Sequence, residues 1–273
     1  MRSSRITAGL VLLAVVAGLA LSAPLLAPQP PESQDLSQDL QPPSADHPFG
    51  QDKLGRDVLS RVLYGARISL LVGGIVVLVS ASVGGAIGAL AGYASGRADD
   101  FAMRVTDIVQ AFPGLLLAIA LSAVLGPSIR NAVLALCLTG WAGYARLVRG
   151  EVLAWRARAF VEAAVALGAG PLRIMTRHIL PQVMAPLLVQ ATFGIAGAIV
   201  AEASLSFLGL GVQPPTPSWG ASINDGRAFL LVAPHIAIFP GLAIMITVLA
   251  FNLLSEGLRD ALDVQRTSTS RGA

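Results

Sequence analysis

Three histidines, one cysteine and one lysine are the side chains of this sequence best suited to acid–base, nucleophilic or metal chemistry, and their spacing gives none of them a partner. His47, His178 and His235 lie in three separate segments, with no H-E-x-x-H pair and no cysteine pair to complete a zinc site. Cys137 sits in an apolar run, as a small buried thiol does. Lys53 is followed by Leu54, so no G-x-x-x-x-G-K-[ST] phosphate loop exists, and the G-x-S-x-G elbow of a serine hydrolase is absent too. The chain is expected to be no enzyme.

Two acidic positions remain of interest. Glu202 interrupts an apolar stretch, where a carboxylate must face protein or water; either a place beside a solute passage or a polar contact between helices satisfies that. Glu162 stands in a polar, arginine-rich segment, 146–182, whose six arginines forbid it from entering a bilayer, since each costs about 2.5–3.5 kcal/mol at the centre. That segment is nevertheless patterned as helix. Phe160, Ala164 and Leu167 share one face at i, i+4, i+7, and Gly168 stands where a left-handed C-cap belongs. Pro171 suits the first turn of a second helix carrying Leu172, Met175 and Ile179, and Pro181 restricts Leu180 and ends it. Two short helices resting on lipid headgroups, with arginine counter-charges, would give the same pattern.

The elements that position these residues are apolar. Of 273 residues, 54% are hydrophobic and 13% charged, about half the charge of a soluble domain. Six stretches reach the ~20 residues needed to cross a bilayer or approach it: 6–27, 68–94, 108–125, 129–145, 185–210 and 235–254. The first could be read as a signal peptide cleaved after Leu21-Ser22-Ala23, but its length and Pro24 favour a retained anchor. With the N-terminus inside, thirteen of the nineteen basic residues fall on the inner side; only Lys53, Arg56, Arg61, Arg67, Arg130 and Arg227 fall outside. Both termini are therefore expected in the cytoplasm. The net charge of +3 points to no nucleic acid partner.

Outside the spans, 28–67 begins proline-rich and acidic and then becomes turn-rich, feeding an expected amphipathic helix over 57–66 against the outer membrane interface. The loop 211–234 holds Pro214, Pro215 and Pro217, which forbid regular helix there, and Trp219, suited to an interfacial anchor. In the second span Gly84, Gly88 and Gly92 form a small-xxx-small ladder that admits a close helix neighbour.

Glu162-Ala163-Ala164, three residues, Gly168, nine residues, then His178-Ile179-Leu180-Pro181 resembles the E-A-A-x3-G-x9-I-x-L-P loop of bacterial ABC-importer permeases, with His178 in the isoleucine position as is usual in the peptide/nickel branch. His47 to Leu70, Trp141 to Arg149, and Ala203 to Gly211 with Pro214 to Gly220 are similar to further segments of that branch, in order, so that the resemblance covers nearly the whole chain. It implies an all-α integral membrane protein of six transmembrane helices in the bacterial cell membrane. The regions are an anchor (1–27), an extracytoplasmic segment (28–67), a core (68–257) with its cytoplasmic coupling loop (146–182), and a cytoplasmic tail (258–273). It also implies a heterodimeric pore with a homologous second permease, two ATPase subunits that bind ATP and Mg, and an extracytoplasmic substrate-binding protein; this chain would hold no cofactor. Glu162, Ala163, Ala164, Gly168, Arg173, His178 and Pro181 would be the ATPase-coupling residues. Dipeptides or oligopeptides are the expected cargo, with nickel complexes, glutathione or another small solute as the alternative. An ATP-independent transporter or channel is the remaining rival, since six spans alone do not exclude it.

Overall fold

The computed structural model describes residues 2–269, so Arg271 of the tail lies outside it. Within these residues the regular structure is helical, apart from a lone bridge between Gln51 and Asp57. The chain runs α1 (Arg2–Leu21), α2 (Ala23–Leu26), α3 (Val58–Ala94), α4 (Arg97–Ala111), α5 (Gly114–Leu125), α6 (Ile129–Arg156), α7 (Ala159–Ala166), α8 (Pro171–Ile174), α9 (Leu180–Phe207), α10 (Trp219–Gly226) and α11 (His235–Thr269). Among the described residues five helical stretches are long and apolar enough to span a membrane, and α4 with α5 forms a sixth only as a bent pair.

The centre of the bundle is α3 against α6, and the glycine ladder explains the fit. A Cβ on Gly84 would strike the Trp141 carbonyl, one on Gly88 the Ala145 carbonyl, and one on Gly92 would lie 3.0 Å from the Arg149 carbonyl. The two glycine and carbonyl series both advance by four residues, so backbone lies on backbone along two turns. At the periphery α1 packs antiparallel to α11, with Gly9 against Leu254 and Gly257 against Ile6. Ala23, beyond the end of α1, is fully buried, so the sequence suggestive of a cleavage site is not an open loop.

The structure corrects four expectations. The helix expected at 57–66 is not a separate interfacial piece. Asp57 caps it, accepting from the Ser60 N–H at 2.7 Å, and it continues unbroken into the second span, because nothing between Ala66 and Ile68 stops a helix. The span expected at 108–125 is broken: Phe112 and Pro113 are extended, and α4 and α5 meet at 84°. Proline supplies no N–H to carry the ladder across, and α5 alone, about 18 Å long, is too short to cross. Pro181 does not end its helix. Residues 175–179 form a π turn, and the chain passes from α8 to α9 without leaving helical angles; the wider turn accommodates the ring that would clash with the carbonyl four residues back. Finally, Trp219 is no interfacial anchor. It is 1% exposed, donates from Nε1 to the Val62 carbonyl at 2.9 Å, and fits because Gly65 has no side chain to meet its ring. The prolines of 211–234 bar helix only as far as Ser218, which caps α10.

The end of the bundle where α3 begins is closed by residues 47–57, which are folded rather than solvated. Asp52 accepts from Arg56 Nε at 2.6 Å, Arg56 reaches Asp225 of α10 at 3.1 Å, and Lys53 reaches the same carboxylate at 2.7 Å. His47 pairs with Asp57 at 2.9 Å, His235 of α11 meets the Gln51 carbonyl at 3.1 Å, and Phe49 stacks on Phe239. Earlier in the chain, Asp35 accepts from the Ser37 hydroxyl and N–H, which hold its carboxyl below its ordinary pKa. Buried Arg61 also lies 3.6 Å from the Asp52 carboxylate, so Asp52→Ala would leave Arg61 without it and Arg56 with Asp225 alone, and a loss of about 3–5 kcal/mol is expected. Thermal unfolding of the detergent-solubilised assembly reads this directly, and an unchanged midpoint would contradict the assigned role of this cap.

Candidate functional site

At the opposite end, α6 runs on past the apolar stretch to Arg156 and is joined to α7 through Ala157 and Arg158. The turn after α7 follows from local sequence. Gly168 adopts φ +82°, its N–H donates to the Val165 carbonyl at 2.9 Å, and the Ala169 N–H donates to the Ala164 carbonyl at 3.0 Å. That pair of bonds is a Schellman motif, and it satisfies carbonyls the helix end would otherwise leave open. Gly170 is extended and Pro171 opens α8. The elbow is thus specified by two glycines and a proline in four residues.

How the elbow sits on the bundle differs from the expected pattern. Val161 is the buried residue of α7, joining Ile174, Ile179 and Val183 against Val148 and Val152 of α6 and Ala89 of α3. Ile174, Ile179 and Val183 are spaced by five and then four, the five-residue step being that of the π turn, whereas the expected Leu172, Met175, Ile179 stripe presumes an uninterrupted α-helix. The stripe of Phe160, Ala164 and Leu167 does not pack inward. Leu167 is 89% exposed and Leu172 78%, and Phe160 and Val165 are exposed as well. A short helix seated by one valine therefore presents an apolar outer face, an arrangement monomeric surfaces avoid unless something binds there.

The polar residues surround this face. Glu162 is exposed in the first turn of α7, where the helix dipole favours a carboxylate. Ala163, Arg173 and Pro181 are exposed and Ala164 is half-buried. His178 is half-buried, its ring 6.4 Å from that of Phe160, which in turn lies 6.2 Å from Trp155 at the end of α6. The expected coupling residues thus occupy one elbow, with Phe160 and His178 in contact across it.

Sequence reasoning missed the ties between α4 and α6. Arg149 grips Asp99 with two bonds, Nη2 lying 2.7 Å from Oδ2, and Arg146 meets Asp107; Arg156, further along α6, is tied instead to the end of α3, donating to the Tyr93 carbonyl at 2.8 Å and the Ser95 hydroxyl at 2.7 Å. Opposite charges 50 and 39 positions apart carry no spacing signal, so only the fold pairs them. The ties join α4, and through it the bent helix α5, to the helix that leads into the elbow.

Glu202 is 1% exposed, accepting from Ser206 at 2.7 Å and from Ser69 of α3 at 3.2 Å, while the Ser206 hydroxyl accepts from the Val212 N–H at 3.0 Å. Of the two readings, the polar contact between helices is the one this geometry supports. It fastens α9 to α3 and to the turn after α9.

Residues 84–267 match the family of binding-protein-dependent transport system inner membrane components, and residues 2–43 match the N-terminal transmembrane domain of oligopeptide transport permease C. The glutathione transport system permease protein GsiD of Escherichia coli O1:K1 is 50% identical over 221 residues, covering 81% of this chain and 73% of that protein; GsiD of Shigella boydii serotype 4 matches to the same extent. GsiD of Pectobacterium atrosepticum is 47% identical over 259 residues, 94% of this chain and 86% of the relative. The chain belongs to the binding-protein-dependent inner membrane components: it is a non-catalytic permease subunit of a bacterial ABC importer, a multi-span protein of the inner membrane that works with ATPase and substrate-binding partners.

Proposed function

We propose that this permease forms half of a heterodimeric pore for small peptides and that the α7 elbow is its contact with one of two ATPase subunits. The observation that carries the elbow reading is the apolar outer face of Phe160, Val165, Leu167 and Leu172, held in fixed geometry by the Gly168 cap and left uncovered in the single chain. In this reading both termini and the elbow are cytoplasmic, as the arginine distribution favours. The residues 47–57 then lie outside, towards an extracytoplasmic binding protein. ATP and Mg are bound by the partner ATPases and not by this chain.

The elbow performs a mechanical task. Closure of the two ATPases on ATP moves the docked helix, and the motion passes through Val161 into the ends of α3, α6 and α9. Arg149–Asp99 and Arg146–Asp107 carry it on into α4 and the bend before α5. ATP shifts the pore between outward- and inward-open arrangements only as far as its affinity differs between them. Glu162 supplies the charged contact and Gly168 the shape of the turn.

For cargo, the GsiD relatives' names point to glutathione, which the sequence motifs left as the alternative to dipeptides or oligopeptides; it is a tripeptide, so a pore for small peptides takes in both. The test is uptake by proteoliposomes holding this chain, the second permease and the ATPases, with the binding protein added outside. Uptake of labelled glutathione or a dipeptide is expected only with ATP inside; uptake independent of ATP would instead make the chain part of a secondary transporter or channel.

A further inference from the structure

Helix α4 meets the bundle through one face. Asp99 and Thr106 are buried there, with Asp99 held by Arg149, and Asp107 at the edge is held by Arg146. The opposite face is open. Arg97, Phe101, Arg104 and Ile108 follow at i, i+4, i+7 and i+11, which sets all four on one exposed stripe, and Phe112 beyond them is exposed as well. Phe101 is 71% exposed and Ile108 63%. Among the described residues neither Arg97 nor Arg104 has a hydrogen-bond or ion-pair partner. Asp100 stands beside the stripe, exposed, so the open face carries two cations against one carboxylate. The other two carboxylates of α4, Asp99 and Asp107, are turned onto the arginines of α6.

The stripe also changes character with depth. Asp99 is level with Arg149, beyond the apolar stretch of α6, whereas Gly114, just past α4, lines a cavity together with Thr139, about 15 Å further in along α6. Arginine therefore stands at the surface, and Ile108, Phe112 and the exposed Leu116 of α5 stand at acyl-chain depth. Arg104, between them, has a stem long enough to return its guanidinium to the surface. We propose that the outward face of α4 docks on anionic phospholipid of the leaflet at the elbow's end of the bundle, the inner leaflet in the orientation given above. A headgroup phosphate meets Arg97 and Arg104, and an acyl chain lies along Phe101, Ile108 and Phe112. Charge complementarity favours this occupant: an anionic surface supplies the counter-charge both arginines lack. A second permease on the same face would have to bury them, and interface cores are depleted in charged residues.

The test uses the assembled importer, its partner subunits free of reactive cysteine, in nanodiscs of phosphatidylcholine. Cys137→Ala and Ile108→Cys place a single thiol on the stripe, and a bimane on it reports quenching by lipids spin-labelled on the acyl chain. Spin-labelled phosphatidylglycerol and spin-labelled phosphatidylcholine are titrated in turn at physiological salt. One arginine beside an anionic surface is worth about fivefold in binding. Half-maximal quenching by phosphatidylglycerol is therefore expected at a mole fraction at least about fivefold lower than by phosphatidylcholine. That comparison needs no further substitution. Arg97→Gln with Arg104→Gln should bring the two midpoints together, whereas Arg130→Gln, an exposed arginine at the far end of the bundle, should leave them apart. Absence of quenching by either lipid would show the face covered by the second permease and overturn the proposal. Equal midpoints before the arginines are replaced, or a preference that survives their replacement, would overturn it too.

Discussion

Gly168→Val is expected to lower binding-protein-stimulated ATP hydrolysis, and uptake with it, by at least about tenfold while the subunits still assemble. The residue holds φ +82°, where a β-branched side chain costs about 1–2 kcal/mol or more. Nothing lies within 4 Å of a Cβ added there, so the penalty is one of backbone angle alone and does not reach the packed helices. What it displaces is the Schellman turn, and with it the direction in which α7 presents Leu167 and Glu162. Gly168→Asn separates this cause from any other, because asparagine tolerates the left-handed region and should keep most of the coupling. Glu162→Lys, which reverses charge at the favoured end of α7, should resemble Gly168→Val. Stimulated hydrolysis at the wild-type rate in Gly168→Val would remove the elbow from the mechanism.

The second large effect concerns assembly rather than coupling. Gly88→Val places a branched side chain on the Ala145 carbonyl, backbone that has no free rotamer with which to yield, and α6 must move away from α3. Overpacking of a well-fitted interface costs about 1–3 kcal/mol, and this site lies at the upper end or beyond because the clash is with backbone. The yield of folded chain in the membrane should fall at least about tenfold. Gly74→Ala, on the same helix with nothing within 4 Å of the added Cβ, should be accepted. Size-exclusion profiles of the two variants in detergent measure the contrast, and equal recovery would mean that the ladder is not the close contact between α3 and α6.

The ladder was legible in the sequence because membrane helices associate through small residues at a four-residue repeat, and the elbow because glycine and proline fix backbone angles locally. What sequence reading lost depended on partners distant in the chain. The outward stripe of Phe160 and Leu167 resembles a core face, and only the placement of Val161 among Ile174, Ile179 and Val183 shows which side is turned in. Pro181 argues for a helix end until the π turn at 175–179 relieves it. Pro113 sits in a stretch apolar enough to pass as one span, and composition does not record an 84° bend. Trp219 has the composition of an interfacial anchor, but Gly65, over 150 positions earlier, offers it an interior place.

Coupling through α7 requires that this helix be cytoplasmic and covered by an ATPase. Cysteine placed at Leu167, in a chain whose Cys137 is replaced by alanine, tests both points in one preparation. A membrane-impermeant maleimide should label it in inside-out vesicles lacking the ATPases and not in right-side-out vesicles. Added ATPase subunits should then protect it and form a disulfide cross-link to an engineered cysteine on their surface. Labelling from the exterior face, with no protection by the ATPases, would contradict the account.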